Sequence, residues 1–337
     1  MGQQPRKKLT TMVLISLALL STAACLRVHV RISPRRFPLQ ESHCASGHVI
    51  FAIVRQETHF LLEWLDYHVW LGFDHFYIYN QDDDKATLAE LLRNHTSAGL
   101  VSLTPWNVGE QATAYLHAID SYSENALSWT FLDVDEFVVF PENLTVAQAL
   151  SRRGLFSNKK CLELLWWSYG DAGADAKSVQ EKGVLQVLTR RARTFENKHP
   201  GKVVVRGGRN GKVYIFKLLQ KLRPIGGWWH TCKRFASTHE RATLSAEHAF
   251  LAHFQFRYGN ESFKMRLARG TRGVFKTQSI YSTAHMIDFA HRNEMFDDSL
   301  LKRSALVRAN MEKNYTTKRP LVNKTCTLDA SMHRRTS

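Results

Sequence analysis

Between His48 and Leu132 the chain repeats a strand–helix pattern three times and ends on a fourth strand, and few architectures accept it. Val49-Ile-Phe-Ala-Ile-Val54 is a continuous apolar run of strand length, as expected for a strand buried on both faces. Phe60, Leu61, Trp64, Leu65, His68 and Leu71 follow at helical spacing, with Glu63 and Asp66 outside, and Gly72 stops the helix. His75-Phe-Tyr-Ile-Tyr79 predicts a second strand and Lys85–Asn94 a second helix. A third strand is expected over Leu100–Leu103, a third helix over Glu110–Ser123, and a fourth strand at Trp129-Thr-Phe-Leu132. Strands and helices alternating at this spacing predict an α/β fold with a doubly wound, mostly parallel, Rossmann-like sheet. In such sheets ligands sit beyond the carboxyl ends of the strands. Those ends are Arg55-Gln-Glu57, Asn80-Gln-Asp82 and Asp133-Val-Asp135, so polar residues gather where chemistry is expected.

The second half is less regular. Strands are expected at Leu162–Trp166, Val184–Thr189, Lys212–Phe216 and Phe250–His253, and a helix at Glu261–Ala268. Arg190–Lys212 carries eight basic residues against one Glu, with Gly201, Gly207, Gly208 and Gly211, and reads as an exposed loop or hairpin. It is not a P-loop, because no Gly-Lys-Ser/Thr follows Gly207.

Asp133-Val-Asp135-Glu136 directly follows an apolar strand. Alternation along an extended segment puts Asp133 and Asp135 on the same side. Two carboxylates converging there need a cation, a donor network or a shared proton. A hard divalent ion, Mg²⁺ or Mn²⁺, with diphosphate oxygens in its remaining positions satisfies all of these. Such an ion neutralises a leaving nucleoside diphosphate.

The formal charge of +16 and a pI near 9.8 favour anionic partners, phosphate-bearing substrates among them. There is no Cys/His finger, no heptad run behind a basic region and no RNP aromatic pair, which argues against nucleic acid. Arg6, Lys7 and Lys8 precede an uncharged run from Leu9 to Leu26. Its 18 residues reach about 27 Å as a helix, enough for a thin bilayer. Residues 1–8 then read as a cytoplasmic tail, 9–26 as a transmembrane signal anchor, 27–47 as a stem, 48–290 as the globular domain and 291–337 as a helical, polar C-terminal extension. A cleaved signal peptide ending near Ser21-Thr-Ala-Ala24 is the alternative. Sequons at Asn94, Asn143, Asn260, Asn314 and Asn323 suit a glycoprotein of the secretory pathway. Cys44, Cys161, Cys232 and Cys326 are compatible with two disulfides in any of three pairings, or with four buried thiols.

Several blocks, in order, carry a resemblance. They are Val54-Arg-Gln-Glu57, Leu62-Glu-Trp-Leu-Asp-Tyr-His68, Leu71-Gly-Phe-Asp-His-Phe-Tyr-Ile-Tyr79, Gln111 with Tyr115, and Trp129-Thr-Phe-Leu-Asp-Val-Asp-Glu-Phe137. Trp167-Ser-Tyr-Gly170, Lys217 with Pro224 and His230, His253-Phe-Gln-Phe-Arg257, Phe263-Lys264 and Arg269-Gly270 complete them. Over roughly Val49 to Gly270 the chain resembles glycosyltransferase family 92 and its family 2-like relatives of the GT-A superfamily. The resemblance implies a metal-dependent hexosyltransferase. Its donor would be a nucleotide sugar, commonly a UDP-hexose, and its acceptor a glycan hydroxyl, with inversion. It implies a Golgi or other secretory-pathway enzyme, single-pass type II, with a lumenal domain. By the same analogy Asp133 and Asp135 hold metal and nucleotide, and His253 completes the metal shell. Glu57 and Asn80 lie near the nucleoside, Gln111 near the diphosphate-sugar, and Lys264 and Arg257 make phosphate or acceptor contacts.

The chain also departs from the family. Arg55-Gln56 stands where Lys-Asn is usual, Tyr79-Asn80-Gln81 where Tyr-Asp-Asn is usual, and Tyr169-Gly-Asp-Ala-Gly173 where the family has Phe-Gly-Ser-Ser-Gly. An inverting transferase needs a carboxylate base. Asp171, Asp175 and Glu247 are the candidates, with Asp171 favoured beside Trp167 and Tyr169. The changes at Asn80 and Gln81 motivate an alternative, a non-catalytic membrane-anchored glycan-binding protein on a degenerate GT-A fold.

Overall fold

The computed structural model describes residues 47–107, 111–152, 155–156, 158–194, 200–208, 230–257 and 292–316. The first half follows the expected order: β1 (His48–Val54), α1 (Thr58–Trp70), β2 (His75–Asn80), α2 (Lys85–Leu91), α3 (Arg93–Ser97), β3 (Val101–Pro105), α4 (Gln111–Tyr122) and β4 (Ser128–Phe131). These strands lie side by side as β3-β2-β1-β4, and every pairing among them is parallel. β1 is central because both of its faces are apolar. Ile50, Ala52 and Val54 pack with Phe60, Leu61, Trp64 and Leu65 of α1. Val49 and Phe51 pack with Ala114, Tyr115 and Ala118 of α4 and with Trp129 and Phe131 of β4. The helix expected over Lys85–Asn94 is divided at Leu92, and Asp84 caps α2 through the Ala86 and Thr87 N–H groups.

Beyond β4 come β5 (Glu136–Val139), α5 (Val146–Arg152), β6 (Cys161–Ser168), α6 (Ala176–Lys182), α7 (Val184–Val187), β7 (Arg190–Arg191), β8 (Pro200–Arg206), β9 (Arg241–Thr243), β10 (Phe250–His253), β11 (Met295–Phe296) and α8 (Ser299–Thr316). The main sheet runs β3-β2-β1-β4-β8-β6-β10-β5, with β9 beside β6; β7 and β11 pair separately. It is a mixed sheet. β8 is antiparallel to both β4 and β6, and β5 is antiparallel to β10.

Two expectations are corrected here. Val184–Thr189 is not a strand: Val184–Val187 forms α7, preceded by Gly183 at φ 93°. The Glu63 carboxylate accepts from the Val184 and Leu185 N–H groups at 2.7 and 3.1 Å, so a residue that reads as outward-facing on α1 is the cap of another helix. Arg190–Lys212 is not an exposed loop throughout. Pro200–Arg206 enters the middle of the sheet as β8, with Val203, Val204 and Val205 in the core. The strands expected at Leu162–Trp166 and Phe250–His253 are β6 and β10.

α8 packs Leu300 and Val307 into the core, and Arg303 donates to the Phe140 carbonyl. Cys161 at the start of β6 is joined to Cys232. Among the described residues no helix is long and apolar enough to cross a membrane. The run Leu9–Leu26, Cys44, Cys326, the strand expected at Lys212–Phe216, the helix at Glu261–Ala268 and Lys264 lie outside the described residues.

His68 makes the core acid-sensitive. Its ring is fully buried, stacked on Phe137 with centroids 5.7 Å apart. Nδ1 faces the Trp64 carbonyl at 2.8 Å, which can only accept, so Nδ1 carries the proton. Nε2 then accepts from the Val138 N–H at 3.3 Å and has no room for a second proton. Burial lowers the pKa from 6.5 to about 3, with the Trp64 bond opposing. The depressed folded value means that this stability is complete above pH 6.5 and is lost as pH falls from there towards 3. The expected loss is about 1.4 kcal/mol per pH unit, or about 2 kcal/mol by pH 5. Urea unfolding of wild type and His68→Gln at both pH values checks it. An equal drop in the two proteins would acquit His68.

Candidate active site

The acidic motif is the turn that carries the chain from β4 to β5. Leu132 donates to the Phe51 carbonyl at 3.1 Å, Glu136 donates to the Asp133 carbonyl at 3.0 Å, and Trp64 Nε1 donates to the Glu136 carbonyl at 2.9 Å. β5 then pairs with β10 in a register that sets His253 opposite Glu136, and the Phe254 N–H bonds the Asp135 carbonyl at 2.8 Å. This register is why residues about 120 positions apart in sequence meet: His253 Nε2 lies 3.7 Å from Asp135 Oδ1.

Asp133 is held from three sides. Gln111 Nε2 and the Tyr115 hydroxyl, one turn apart on α4, reach its Oδ1 at 3.0 and 3.4 Å. Lys202 Nζ on β8 meets Oδ2 at 2.7 Å and Glu136 Oε2 at 3.4 Å. Glu136 also accepts from the Asp133 N–H at 2.9 Å and, through Oε1, from Trp166 Nε1 at 2.6 Å. Burial works to raise the Asp133 carboxyl, but the Lys202 ammonium and its hydrogen bond, with help from His230, pull it below the usual carboxylate range. Burial, together with Asp133 and Asp135, pushes Glu136 up to about 8, against the opposing pull of Lys202. Burial works to lower the Lys202 ammonium, but Asp133 first and Glu136 second override it, and Lys202 stays charged.

Trp166 forms the aromatic wall. Its ring stacks on His253 at 4.6 Å and 29°, and meets His230 edge-on at 5.4 Å. His230 Nδ1 donates to the Gly201 carbonyl next to Lys202. The Gln255 amide nitrogen lies 3.0 Å from His253 Nδ1. In that orientation Nδ1 accepts and Nε2–H faces Asp135; turning the amide end for end puts the lone pair on Nε2 instead.

A divalent ion can be tested against this donor set. Two ligand atoms on one ion with bonds of about 2.1 Å sit at most about 4.2 Å apart. Asp135 Oδ1 and His253 Nε2 fit within that limit. The Asp133 oxygens face Lys202, Gln111 and Tyr115. Among the described residues no group of three or more His, Cys, Asp and Glu is arranged to hold a metal ion.

The other named residues sit as follows. Glu57 is buried and paired with Arg257, whose guanidinium lies 4.9 Å from the Phe60 ring centre. Asn80 is buried; its Oδ1 accepts from the Asp82 N–H at 2.9 Å and its Nδ2 reaches the Lys85 carbonyl at 3.5 Å. Asp171 accepts through Oδ1 from the Gly173 N–H at 3.0 Å and from Asn293 Nδ2 at 2.9 Å. Asp175 caps α6. Trp167 carries the Arg191 guanidinium 3.5 Å over its face, and Tyr169 is buried with its hydroxyl on Asp297. Tyr169 is thus a core residue, and Trp167 is half-buried.

Comparison with known proteins now decides the family. The pattern of glycosyltransferase family 92 matches residues 51–288, well over half of the chain. The chain belongs to that family. A family 92 protein of Arabidopsis thaliana is 29% identical over 130 residues, 38% of this chain and 22% of that protein. One of Oryza sativa subsp. japonica is 26% identical over 156 residues, 45% and 26% of the two chains. The match thus spans about a quarter of the length of these curated relatives. Among solved structures, S. aureus TarS 1-349 is similar with a TM-score of 0.38 and 9% identity, over 78% of this chain and 73% of that one. HddC from Yersinia pseudotuberculosis gives 0.37 and 11%, over 65% and 99%.

In this family 92 chain two residues at the motif escape sequence reasoning. Lys202 hides in a basic, glycine-rich stretch, although Lys202-Val-Val-Val205 is a strand-like run. Trp166 precedes Trp167, and nothing in a Trp-Trp pair tells which ring faces the motif.

Proposed function

We propose that this family 92 protein is a GT-A-type glycosyltransferase that moves a hexose from a nucleotide sugar, UDP in the first instance, to a glycan hydroxyl with inversion. The observation that carries the reading is the pairing of Asp135 with His253 at 3.7 Å beside a fixed Asp133, where the β4–β5 turn meets the end of β10. Asp135 and His253 would hold Mn²⁺ or Mg²⁺, and the ion would supply charge neutralisation for the leaving diphosphate. Asp133, oriented by Gln111, Tyr115 and Lys202, presents its carboxylate at the donor side. Asp171 is the proposed base: Oδ1 is held by two donors, and among the described residues Oδ2 has no hydrogen-bond donor. The proposal includes the type II anchor over residues 9–26 and a lumenal, Golgi or secretory-pathway setting.

Mn²⁺-dependent release of UDP from a panel of sugar nucleotides tests the activity. No release from any donor, with or without acceptor glycans, favours the non-catalytic glycan-binding reading. That second reading draws on Asn80, whose side chain serves its own turn, and on Glu57, which faces Arg257. A stability measurement addresses the metal. Ligand binding to the native state alone raises the melting temperature. Mn²⁺ with UDP should therefore stabilise wild type, and His253→Ala should lose most of that increment. A preserved increment would remove His253 from the metal site.

A further inference from the structure

Lys202 is fully buried on a strand whose next three residues are valines. A lysine is seldom placed so, because a buried ammonium is costly unless paired, and an apolar residue of similar length suits such a strand better. The backbone is built to bring it there. A Cβ on Gly201 would lie 2.3 Å from the Leu164 carbonyl oxygen, so glycine permits a close approach of β8 to β6. The partner strand shifts register between Leu164 and Leu165, and Leu164 is the residue paired with Lys202. Irregularities of this kind re-aim side chains.

The ammonium bridges two carboxyl groups unequally, 2.7 Å from Asp133 and 3.4 Å from Glu136. The Lys202 side chain has no exposed surface, whereas that of Asp133 is 36% exposed. A ligand arriving at the strand ends therefore meets Asp133, with Lys202 behind it. With Gln111 and Tyr115 on Oδ1 and Lys202 on Oδ2, the carboxylate can neither rotate nor leave its place without abandoning the cation.

Resting on the nucleotide-donor reading above, we propose that Lys202 is a positioning residue of the donor site, fixing the Asp133 carboxylate in the orientation that receives a nucleoside diphosphate. It acts through Asp133 and does not itself touch the donor. A residue that acts wholly through another has a distinctive signature: its removal matters only while that other is present.

The test is UDP affinity by titration calorimetry, with Mn²⁺ present, across a double-mutant cycle. Lys202→Met and Asp133→Asn should each weaken binding about tenfold, and the double variant should bind no more weakly than Asp133→Asn alone. Lys202→Arg, which keeps the cation, should recover part of the loss. Effects that multiply in the double variant, or a Lys202→Met affinity within about twofold of wild type, would overturn the proposal. Should Lys202→Met fail to fold because Glu136 is left without its cation, the same cycle is run in the Glu136→Gln background. If wild type itself binds no UDP, the donor reading falls, and a crystal structure of Lys202→Met with Glu136→Gln judges Lys202 separately. Asp133 turned away from Gln111 there supports positioning; Asp133 unmoved refutes it.

Discussion

Asp135→Asn is expected to lower sugar transfer by about 100-fold or more while leaving the fold intact. Loss of one preorganised electrostatic contact to developing charge typically costs about 100- to 1,000-fold in turnover. Asparagine keeps the volume of aspartate, so the buried turn is not repacked, and the backbone bond from Phe254 to the Asp135 carbonyl survives. What changes is the charge beside His253, 3.7 Å away. Asparagine is a poorer ligand for a hard divalent ion and offers no ionic balance to it. UDP release measured with saturating Mn²⁺, beside a melting curve of each protein, separates the outcomes. Wild-type turnover in the variant would reduce the acidic motif to a structural turn. A large fall in melting temperature would mean that the loss of turnover reflects folding.

The site was readable where local pattern and tertiary role coincide. β1 to β4 announce themselves because they are short, mainly apolar segments of strand length, and each lies within two residues of its expected place. Asp133 and Asp135 follow from that, since strand ends are local features; Gln111 is implied by the resemblance to relatives alone. His253 required more. Only the register of β5 on β10 brings it to Asp135, and no spacing in the sequence encodes a pairing across more than a hundred residues. The resemblance to relatives supplied that residue; periodicity could not.

What stayed hidden is also physical in origin. Glycine reads as a loop signal when it marks chain freedom, yet Gly201 marks a close approach of two strands. A run of basic residues reads as surface, yet Lys202 is enclosed by partners from other parts of the chain. Glu63 reads as the solvent side of α1 until the start of α7 arrives to use its carboxylate as a cap. Each was misread because its partner is distant in sequence, and a charge is legible as buried only when that partner is known.

The Cys161–Cys232 bond offers the other large effect. It closes a stretch of 71 residues that contains Trp166, Lys202 and His230, the groups lining the acidic motif on the β6–β8 side. In the chain-entropy picture a loop of this size restrains the unfolded state by about 4 kcal/mol. Local structure adds to the constraint, because the Cys232 N–H and Thr231 hydroxyl both donate to Glu163 Oε1, at 2.7 and 2.9 Å, on the strand that starts at Cys161. The bond therefore also pins the segment from which His230 reaches the Gly201 carbonyl beside Lys202. Cys161→Ser with Cys232→Ser is expected to lower the melting temperature by about 10 °C, converting about 4 kcal/mol at a few degrees per kcal/mol for a domain of this size. Wild type unfolded under strong reductant should fall to the same value. Because His230 and Lys202 are tethered by the same covalent link, UDP affinity of the folded double-serine variant at low temperature should fall with stability. A melting temperature unmoved by reductant would show that the two cysteines are not joined. An unmoved UDP affinity beside a lowered melting temperature would confine the bond to stability and leave the geometry of the motif to its hydrogen bonds.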